Sequence, residues 1–114
     1  MLTTIEPGST FKDNLQQLPP VDAVERIELA RADGTVVATI ENQPGKQGSL
    51  SVYQYLAQAC PVLDAQAAQH GLALFAEHTP DARNRPGAHP NIDRLLEIVA
   101  GGDALTIRVV PAGA

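Results

Sequence analysis

The clearest pattern in the chain is a pair of segments in which apolar and polar residues alternate on either side of Asp33-Gly34. Alternation with a period of two is typical of half-buried β-strands. An Asp-Gly pair between two such segments favours a type I′ turn, in which both turn residues have positive φ. The sequence therefore predicts a β-hairpin over residues 24–41. Its predicted cross-strand pairs are Arg26 with Glu41, Ile27 with Ile40, Glu28 with Thr39 and Leu29 with Ala38.

Helical spacing of apolar residues predicts the next elements. A short first helix follows Thr10, whose hydroxyl makes it a suitable N-cap. A second helix is predicted over about residues 50–60 with Ser49 as its N-cap, and a third begins at residue 65 after Asp64. Prolines cannot continue a hydrogen-bonded turn, so they stop these helices. The prolines concerned are Pro19, Pro20 and Pro61.

The end of the third helix is ambiguous in the sequence. Gly71 either ends it, with residues 72–77 forming a strand, or lies inside a longer helix at a cost of about 1 kcal/mol relative to alanine. We favour the helix because the apolar residues around Gly71 also follow helical spacing. Thr79-Pro80-Asp81 marks a break or a new helical turn, and residues 83–91 have the composition of a loop.

A last helix with Asn91 as its N-cap and a last strand over residues 104–110 complete the predicted elements. Helices that each bury one apolar stripe need a surface to pack on, and the hairpin and last strand supply it. The predicted fold is an α+β two-layer sandwich, in which three to four helices pack on a small, mainly antiparallel sheet. We expect a single domain over residues 1–114, with residues 1–8 as a loose arm or a short edge segment. Because a small open sheet leaves edges that proteins cover or pair, a homodimer is one expected arrangement.

Composition and charge narrow the classes of partner. The net charge is −5 and only two lysines are present, so nucleic acid is not expected as a partner. No apolar run approaches the ~18 residues of a membrane span, and the first residues lack the basic and apolar regions of a secretory signal. A single cysteine excludes an internal disulfide. We therefore expect a cytoplasmic protein with no membrane contact.

The connection between the hairpin and the second helix carries the first chemical hint. Residues 45–49 (GKQGS) combine two glycines, a lysine and a serine just before a helix N-terminus. Helix N-termini present unpaired N–H groups, so Lys46, Gly48 and Ser49 are candidates for holding an anion. The spacing differs from the Walker A pattern, in which the lysine follows the second glycine. The alternative is a plain connection, whose glycines supply positive φ and whose serine caps a helix.

A second polar segment covers residues 77–94 and contains two of the three histidines among acids and arginines. His78 and Asp81 are three residues apart, and His89 and Asp93 are four apart, so each pair shares a face wherever the chain is helical. Two histidines and two aspartates suit a divalent metal, but prolines interrupt the segment and the HxxxH and HExxH spacings are absent. No metal ligand is therefore predicted.

Two functional hypotheses follow. In the first, the protein is a binding or interaction module with a polar pocket for an anionic small molecule or an acidic group of a protein partner. The candidate ligand-binding residues are Lys46, Gly48, Ser49, His78, Asp81, His89 and Arg94. In the second, the protein is a small enzyme that uses His78 or His89 beside Asp81 or Asp93 for acid/base or metal-assisted chemistry. The sequence assigns no catalytic residue and no cofactor.

Three segments resemble a family of small uncharacterised bacterial proteins of about this length, a domain of unknown function. They are residues 44–50 (PGKQGSL), 76–82 (AEHTPDA) and 86–95 (PGAHPNIDRL). The resemblance covers nearly the whole chain and implies a bacterial, cytoplasmic origin, but it brings no activity, ligand or catalytic residue. These segments coincide with the two polar segments, which form one pocket if they meet in space.

Overall fold

The computed structural model describes residues 6–18, 20–60 and 62–112; part of the predicted arm, Pro19 and Pro61 lie outside these ranges. In chain order the elements are α1 (Phe11–Leu15), β1 (Val24–Ala30), β2 (Val36–Glu41), α2 (Gln47–Ala59), α3 (Ala65–Phe75), α4 (His78–Asn84), α5 (Pro90–Val99) and β3 (Thr106–Pro111). The strands form an antiparallel sheet of order β2-β1-β3, and α2 contacts all three of them. The α+β class is confirmed, with five helices in the described ranges where three to four were expected.

The hairpin has the predicted register but a different turn. Gly34 has a φ of 92°, whereas Asp33 does not have positive φ, so the turn is not type I′. The Gly34 N–H donates to Arg31 O and the Arg31 N–H donates to Thr35 O, which closes a three-residue loop. A β-bulge immediately after Leu29 absorbs the extra residue. This compensation explains why all four predicted pairs are confirmed although the predicted turn is wrong.

β1 is the central strand, because β3 pairs with its other side, and β2 and β3 are the two edges of the sheet. On the face away from the core, Glu28 Oε2 accepts a hydrogen bond of 3.1 Å from Arg26 Nε, and its Oε1 lies 3.7 Å from Arg108 Nη1 of β3. Arg26 also forms an ion pair with Glu25. Arg26 therefore lies opposite Glu41 in the register, as predicted, but its salt bridges run along its own strand to Glu25 and Glu28.

The second helix begins earlier than predicted. Its N-cap is Lys46, so Ser49 lies inside the first turn and the predicted capping role of Ser49 is wrong. A turn produces the early start: Gly45 has a φ of 86°, and the Lys46 N–H donates to Gln43 O at 3.0 Å. That turn brings the backbone into helical geometry three residues before the predicted start at Leu50.

α4 and α5 also begin earlier than the sequence indicates. α4 starts at His78, which places Pro80 in the first turn, where its missing N–H group costs no helical hydrogen bond. Ala76, with a φ of 51°, forms the joint between α3 and α4. The N-cap of α5 is His89, followed by a proline whose fixed φ suits the first helical position, so the predicted cap Asn91 lies inside the helix.

The third helix continues through Gly71, as favoured from the sequence. Asp64 is its N-cap, as predicted, and accepts a hydrogen bond of 2.9 Å from the Ala67 N–H. Gly71 is buried, and a Cβ atom there would lie 2.9 Å from Leu95 Cδ1 and 3.0 Å from Leu56 Cδ1. The glycine therefore lets α5 and α2 pack closely against α3.

One hydrophobic core joins the sheet to the helices. Its largest fully buried side chains are Ile27, Leu29, Ile40, Leu50, Val52, Tyr53, Leu56, Leu63, Leu74 and Leu95. Within the described ranges, the exposed large apolar residues are Val36, Val37 and Val62, and two of these three lie on the edge strand β2. No helix in these ranges is long and apolar enough to cross a lipid bilayer.

Candidate functional site

The two polar segments meet at one cleft of about 690 Å³, here called the main cleft. It lies between α1, the start of α2, the start of α5 and the edge strand β2. Six of the seven candidate residues line it: Lys46, Gly48, Ser49, His78, His89 and Arg94. The seventh, Asp81, lies behind this lining and contacts His89. The structure thus brings together two groups of residues that are at least 29 positions apart in the sequence.

The first turn of α2 forms one end of the main cleft. The first hydrogen bond of this helix runs from the Leu50 N–H to Lys46 O, at 3.0 Å. The N–H groups of Gln47, Gly48 and Ser49 have no hydrogen-bond partner among the described residues, as expected for the start of a helix. Three backbone donors and the Lys46 ammonium group therefore belong to the same end of the cleft.

An aromatic wall lies beside these donors. The Phe11 ring stacks on Phe75, with centroids 5.3 Å apart, and meets the edge of the His78 ring at 5.2 Å. A Cβ atom on Gly48 would lie 2.9 Å from Phe11 Cε2, so the glycine allows α1 to approach the start of α2. Phe11 and Phe75 were not predicted as cleft residues, because apolar residues at helical spacing indicate core and nothing else in the sequence distinguishes them.

Three polar contacts hold α1 in place. Asn14, which has no exposed surface, donates from Nδ2 to Leu74 O at 2.9 Å and accepts from the Gly8 N–H at 2.6 Å. Glu77 Oε1 accepts from the Phe11 N–H at 2.7 Å, and this backbone donor lowers the pKa of the Glu77 carboxyl group. The wall formed by Phe11 is therefore fixed from both sides.

His89 is paired with a carboxylate. Its Nε2 lies 2.6 Å from Asp81 Oδ2, and Arg85 Nε donates to Asp81 Oδ1 at 2.9 Å. Hydrogen bonds from Arg85 and His89 hold the pKa of the Asp81 carboxyl group well below its ordinary range. An ionised carboxylate can only accept a hydrogen bond, so His89 donates its Nε2–H to Asp81. When the His89 ring is neutral, its lone pair is therefore on Nδ1. This pair can orient an imidazole for binding or for proton transfer.

The spacing of histidines and aspartates along the sequence does not by itself give their contact partners, although His78 and Asp81 both lie on α4. Asp81 binds His89 rather than His78, and Asp93 accepts a hydrogen bond of 2.9 Å from the Gly87 N–H. Asp93 therefore fixes the loop before α5 instead of serving His89. The two imidazole rings nevertheless lie near each other, with centroids 5.9 Å apart.

Arg94 is held by neutral groups. Its Nη1 donates to Asn91 Oδ1 at 3.0 Å and to the Tyr53 hydroxyl group at 3.3 Å, and its guanidinium carbon lies 5.9 Å from the centre of the Tyr53 ring. The Tyr53 hydroxyl group in turn donates to Asn91 O at 2.6 Å. Burial raises the pKa of Tyr53 to about 12, so the phenol stays neutral and leaves the charge of Arg94 uncompensated.

The third histidine belongs to a different part of the molecule. His70 lies on α3, half-buried, and its Nε2 is 2.7 Å from the hydroxyl group of Tyr55 on α2. Burial lowers the pKa of His70. Throughout the described ranges, no group of three or more His, Cys, Asp or Glu side chains is placed to hold a metal ion.

A comparison with known proteins shows the family of this chain. The model of a family described as an uncharacterized protein conserved in bacteria (DUF2322) matches residues 11–109 of the 114-residue chain. Every residue of the main cleft falls within the matched range. The searches of curated proteins and of solved structures gave no match.

Proposed function

This chain belongs to the bacterial family DUF2322, and we propose that it is a small binding module whose main cleft holds an anionic group. The anion is a phosphate or a carboxylate, carried by a small molecule or by an acidic residue of a partner protein. One observation carries the proposal. In a chain with a net charge of −5, the described lining of the main cleft contains Lys46, Arg94 and two histidines and no carboxylate.

The two permanent cations of the main cleft are available to a ligand. Neither Lys46 nor Arg94 forms an ion pair with an acidic side chain of the described ranges. Arg26, Arg85 and Arg108, by contrast, are all paired with carboxylates. Uncompensated positive charge in a concave site favours an anion and repels a cation.

Two helix starts reinforce this preference. The first turns of α2 and α5 both line the main cleft, at Gln47 to Ser49 and at Pro90 to Ile92. The helix dipole favours negative charge at such ends by about 0.3–1 kcal/mol each at low ionic strength. The three backbone N–H groups of α2 that lack partners in the described ranges add directional donors for oxygen atoms.

A thermal-shift experiment with pyrophosphate, inorganic phosphate and citrate at low salt tests the proposal. An anion at 100 times its dissociation constant stabilises the folded state by about 2.7 kcal/mol, and the Lys46→Ala variant should lose most of that gain. The other lysine supplies a matched control, because Lys12 is exposed on α1 and does not line the main cleft. Equal responses of Lys46→Ala and Lys12→Ala, or no response of the wild type to any of the three anions, would contradict the proposal.

A second candidate function is acid/base catalysis, favoured by the 2.6 Å contact between His89 and Asp81. The carboxylate fixes the ring so that Nδ1 of a neutral His89 can accept a proton. Chromogenic phosphate and carboxylate esters supply the test. If the wild type hydrolyses such an ester and both His89→Gln and Asp81→Asn lose the activity, the result supports an enzyme. If both variants keep the full rate, the His89–Asp81 pair does not perform the acid/base chemistry.

The proposal places the protein in the bacterial cytoplasm, where its single cysteine stays reduced. It also keeps the homodimer that the open sheet edges suggest. Sedimentation velocity at micromolar concentration distinguishes a dimer from a monomer of 12.0 kDa.

A further inference from the structure

A second cavity adjoins the main cleft at Arg94. It has a volume of about 230 Å³, and Arg94 lines both cavities. On the sheet side, the main cleft is lined by Thr39 and Ile40 and the second cavity by Val37. On the other side, both are lined by residues of α5. The second cavity also reaches Arg31 after β1 and Leu105 before β3, at the end of the sheet. The two cavities, which share Arg94, are here together called the furrow, and both are lined by residues of β2 and α5.

The β2 wall of the furrow offers backbone hydrogen bonds. The Asn42 N–H donates to Glu25 O of β1, so Ile40, two residues earlier, also directs its backbone toward β1. The alternate residues Thr39 and Glu41 therefore direct their N–H and C=O groups toward the open edge. Of these groups, the Glu41 carbonyl accepts from the Gln43 N–H, and the others have no backbone partner in the described ranges.

Apolar side chains are exposed along the same strand. Val36 is 50% exposed and Val37 is 42% exposed, although both lie in a strand of the sheet. An edge strand with exposed apolar residues and free backbone groups is a template for another strand. A strand added to β2 would cover these valines and satisfy the backbone of Thr39.

The charges of the furrow differ between its two ends. The end at Lys46 has no carboxylate among its described lining residues, whereas the far end combines Arg31 with Glu97 and Asp103. An occupant therefore gains most when its acidic group lies at the Lys46 end. An antiparallel strand is the more stable pairing, and because β2 runs toward Lys46, such a strand starts at the Lys46 end.

From these observations we propose that the furrow binds an extended peptide segment of a partner protein, which adds to β2 as an antiparallel fourth strand. An acidic side chain near the N-terminal end of the segment enters the main cleft, and alternating apolar side chains follow beside Val37. Backbone pairing supplies affinity and the acidic residue supplies register. This inference rests on the proposed anion-binding function and names the ligand class.

Selection of a random octapeptide library displayed on phage against the full chain tests the proposal. We expect enriched peptides with Asp or Glu ahead of alternating apolar residues, and we expect pyrophosphate to compete with them. A synthetic enriched peptide should bind about tenfold less tightly to Thr39→Pro, which lacks one backbone donor, than to Thr39→Ala. Pyrophosphate should bind the two variants equally to each other, because both lack the Thr39 hydroxyl group and both keep Lys46 and Arg94.

A peptide with N-methyl groups on alternate amides supplies a test that needs no variant. It keeps the side chains and charges but loses strand pairing, so its affinity for the wild type should fall by about tenfold or more. Equal binding of the two peptides, or enrichment without acidic residues, overturns the inference and leaves the anion site standing. If the wild type is a dimer and the Thr39→Pro substitution dissociates it, then a second copy of this chain occupies β2 and the inference is overturned. Failure of both peptide and pyrophosphate to bind removes the proposed function as well.

Discussion

Replacement of Asn14 by alanine should destabilise the protein and loosen the aromatic wall of the main cleft. Asn14 is fully buried and joins α1 to Leu74 O and to the Gly8 N–H. The Leu74 carbonyl lies in the last turn of α3, which ends at Phe75, so no helical N–H is available to it in place of Asn14. The substitution therefore leaves a buried acceptor without a partner.

The expected loss is about 2–3 kcal/mol of unfolding free energy. An unsatisfied buried polar group costs about 1–3 kcal/mol, and the lost bond to the Gly8 N–H adds roughly 0.5–1.5 kcal/mol. For a chain of this size, a loss of that order lowers Tm by roughly 8–12 °C. Phe11 lies one helical turn before Asn14 and lines the main cleft, so anion binding should weaken in the same variant.

Urea unfolding at neutral pH, followed by circular dichroism, measures the loss. Asn84→Ala is the matched control, because Asn84 is exposed at the end of α4, and it should change stability by less than about 0.5 kcal/mol. A folded Asn14→Ala variant that loses less than about 1 kcal/mol would refute the reasoning, since it would show that water or a backbone shift satisfies the Leu74 carbonyl.

Three further predictions concern other parts of the structure. Gly34→Ala should lower the free energy of unfolding in urea by roughly 1 kcal/mol, because Gly34 has a φ of 92° that an alanine rarely adopts. No atom lies within 4 Å of the added Cβ, so steric overlap does not contribute, and an unchanged stability would show that the backbone is not strained. Burial lowers the pKa of His70 in the folded state, so as the pH falls the unfolded state takes up the proton at a higher pH than the folded state does. The free energy of unfolding should therefore decrease as the pH drops below about 6.5. His70→Gln should reduce that slope, and an unchanged slope would contradict it. The hydrogen bond from Arg85 is the main reason why the pKa of the Asp81 carboxyl group is low, so this pKa should rise in Arg85→Ala. Carbon NMR of the carboxyl group measures it, and an unchanged pKa would show that Arg85 is not the cause.

The sequence predicted the hairpin pairing well, because Asp33-Gly34 sets the position of the turn and the period-two pattern then puts Ile27 and Ile40 on the same buried face. It did not predict the turn. A three-residue loop with a bulge after Leu29 gives the same pairing as a two-residue loop without one. The alternation of side chains carries no information that separates these two solutions.

The candidate site was predicted in part. Lys46 and the histidines stand out by composition, but their meeting depends on the close packing of α5 against α3 at Gly71, which local sequence patterns do not encode. The partner of His89 was missed for a similar reason. The loop before α5 turns back at Gly87, which has a φ of 91°, and this turn places His89 on Asp81.

A pyrophosphate titration followed by ¹⁵N–¹H NMR tests anion binding at the main cleft most directly. The account predicts saturable shifts of the amide signals of Gln47, Gly48 and Ser49, whose N–H groups start α2 beside Lys46. These shifts should persist in Lys12→Ala and weaken strongly in Lys46→Ala. Amide signals of this turn that stay unmoved at millimolar pyrophosphate, or that move equally in Lys46→Ala, would contradict the account.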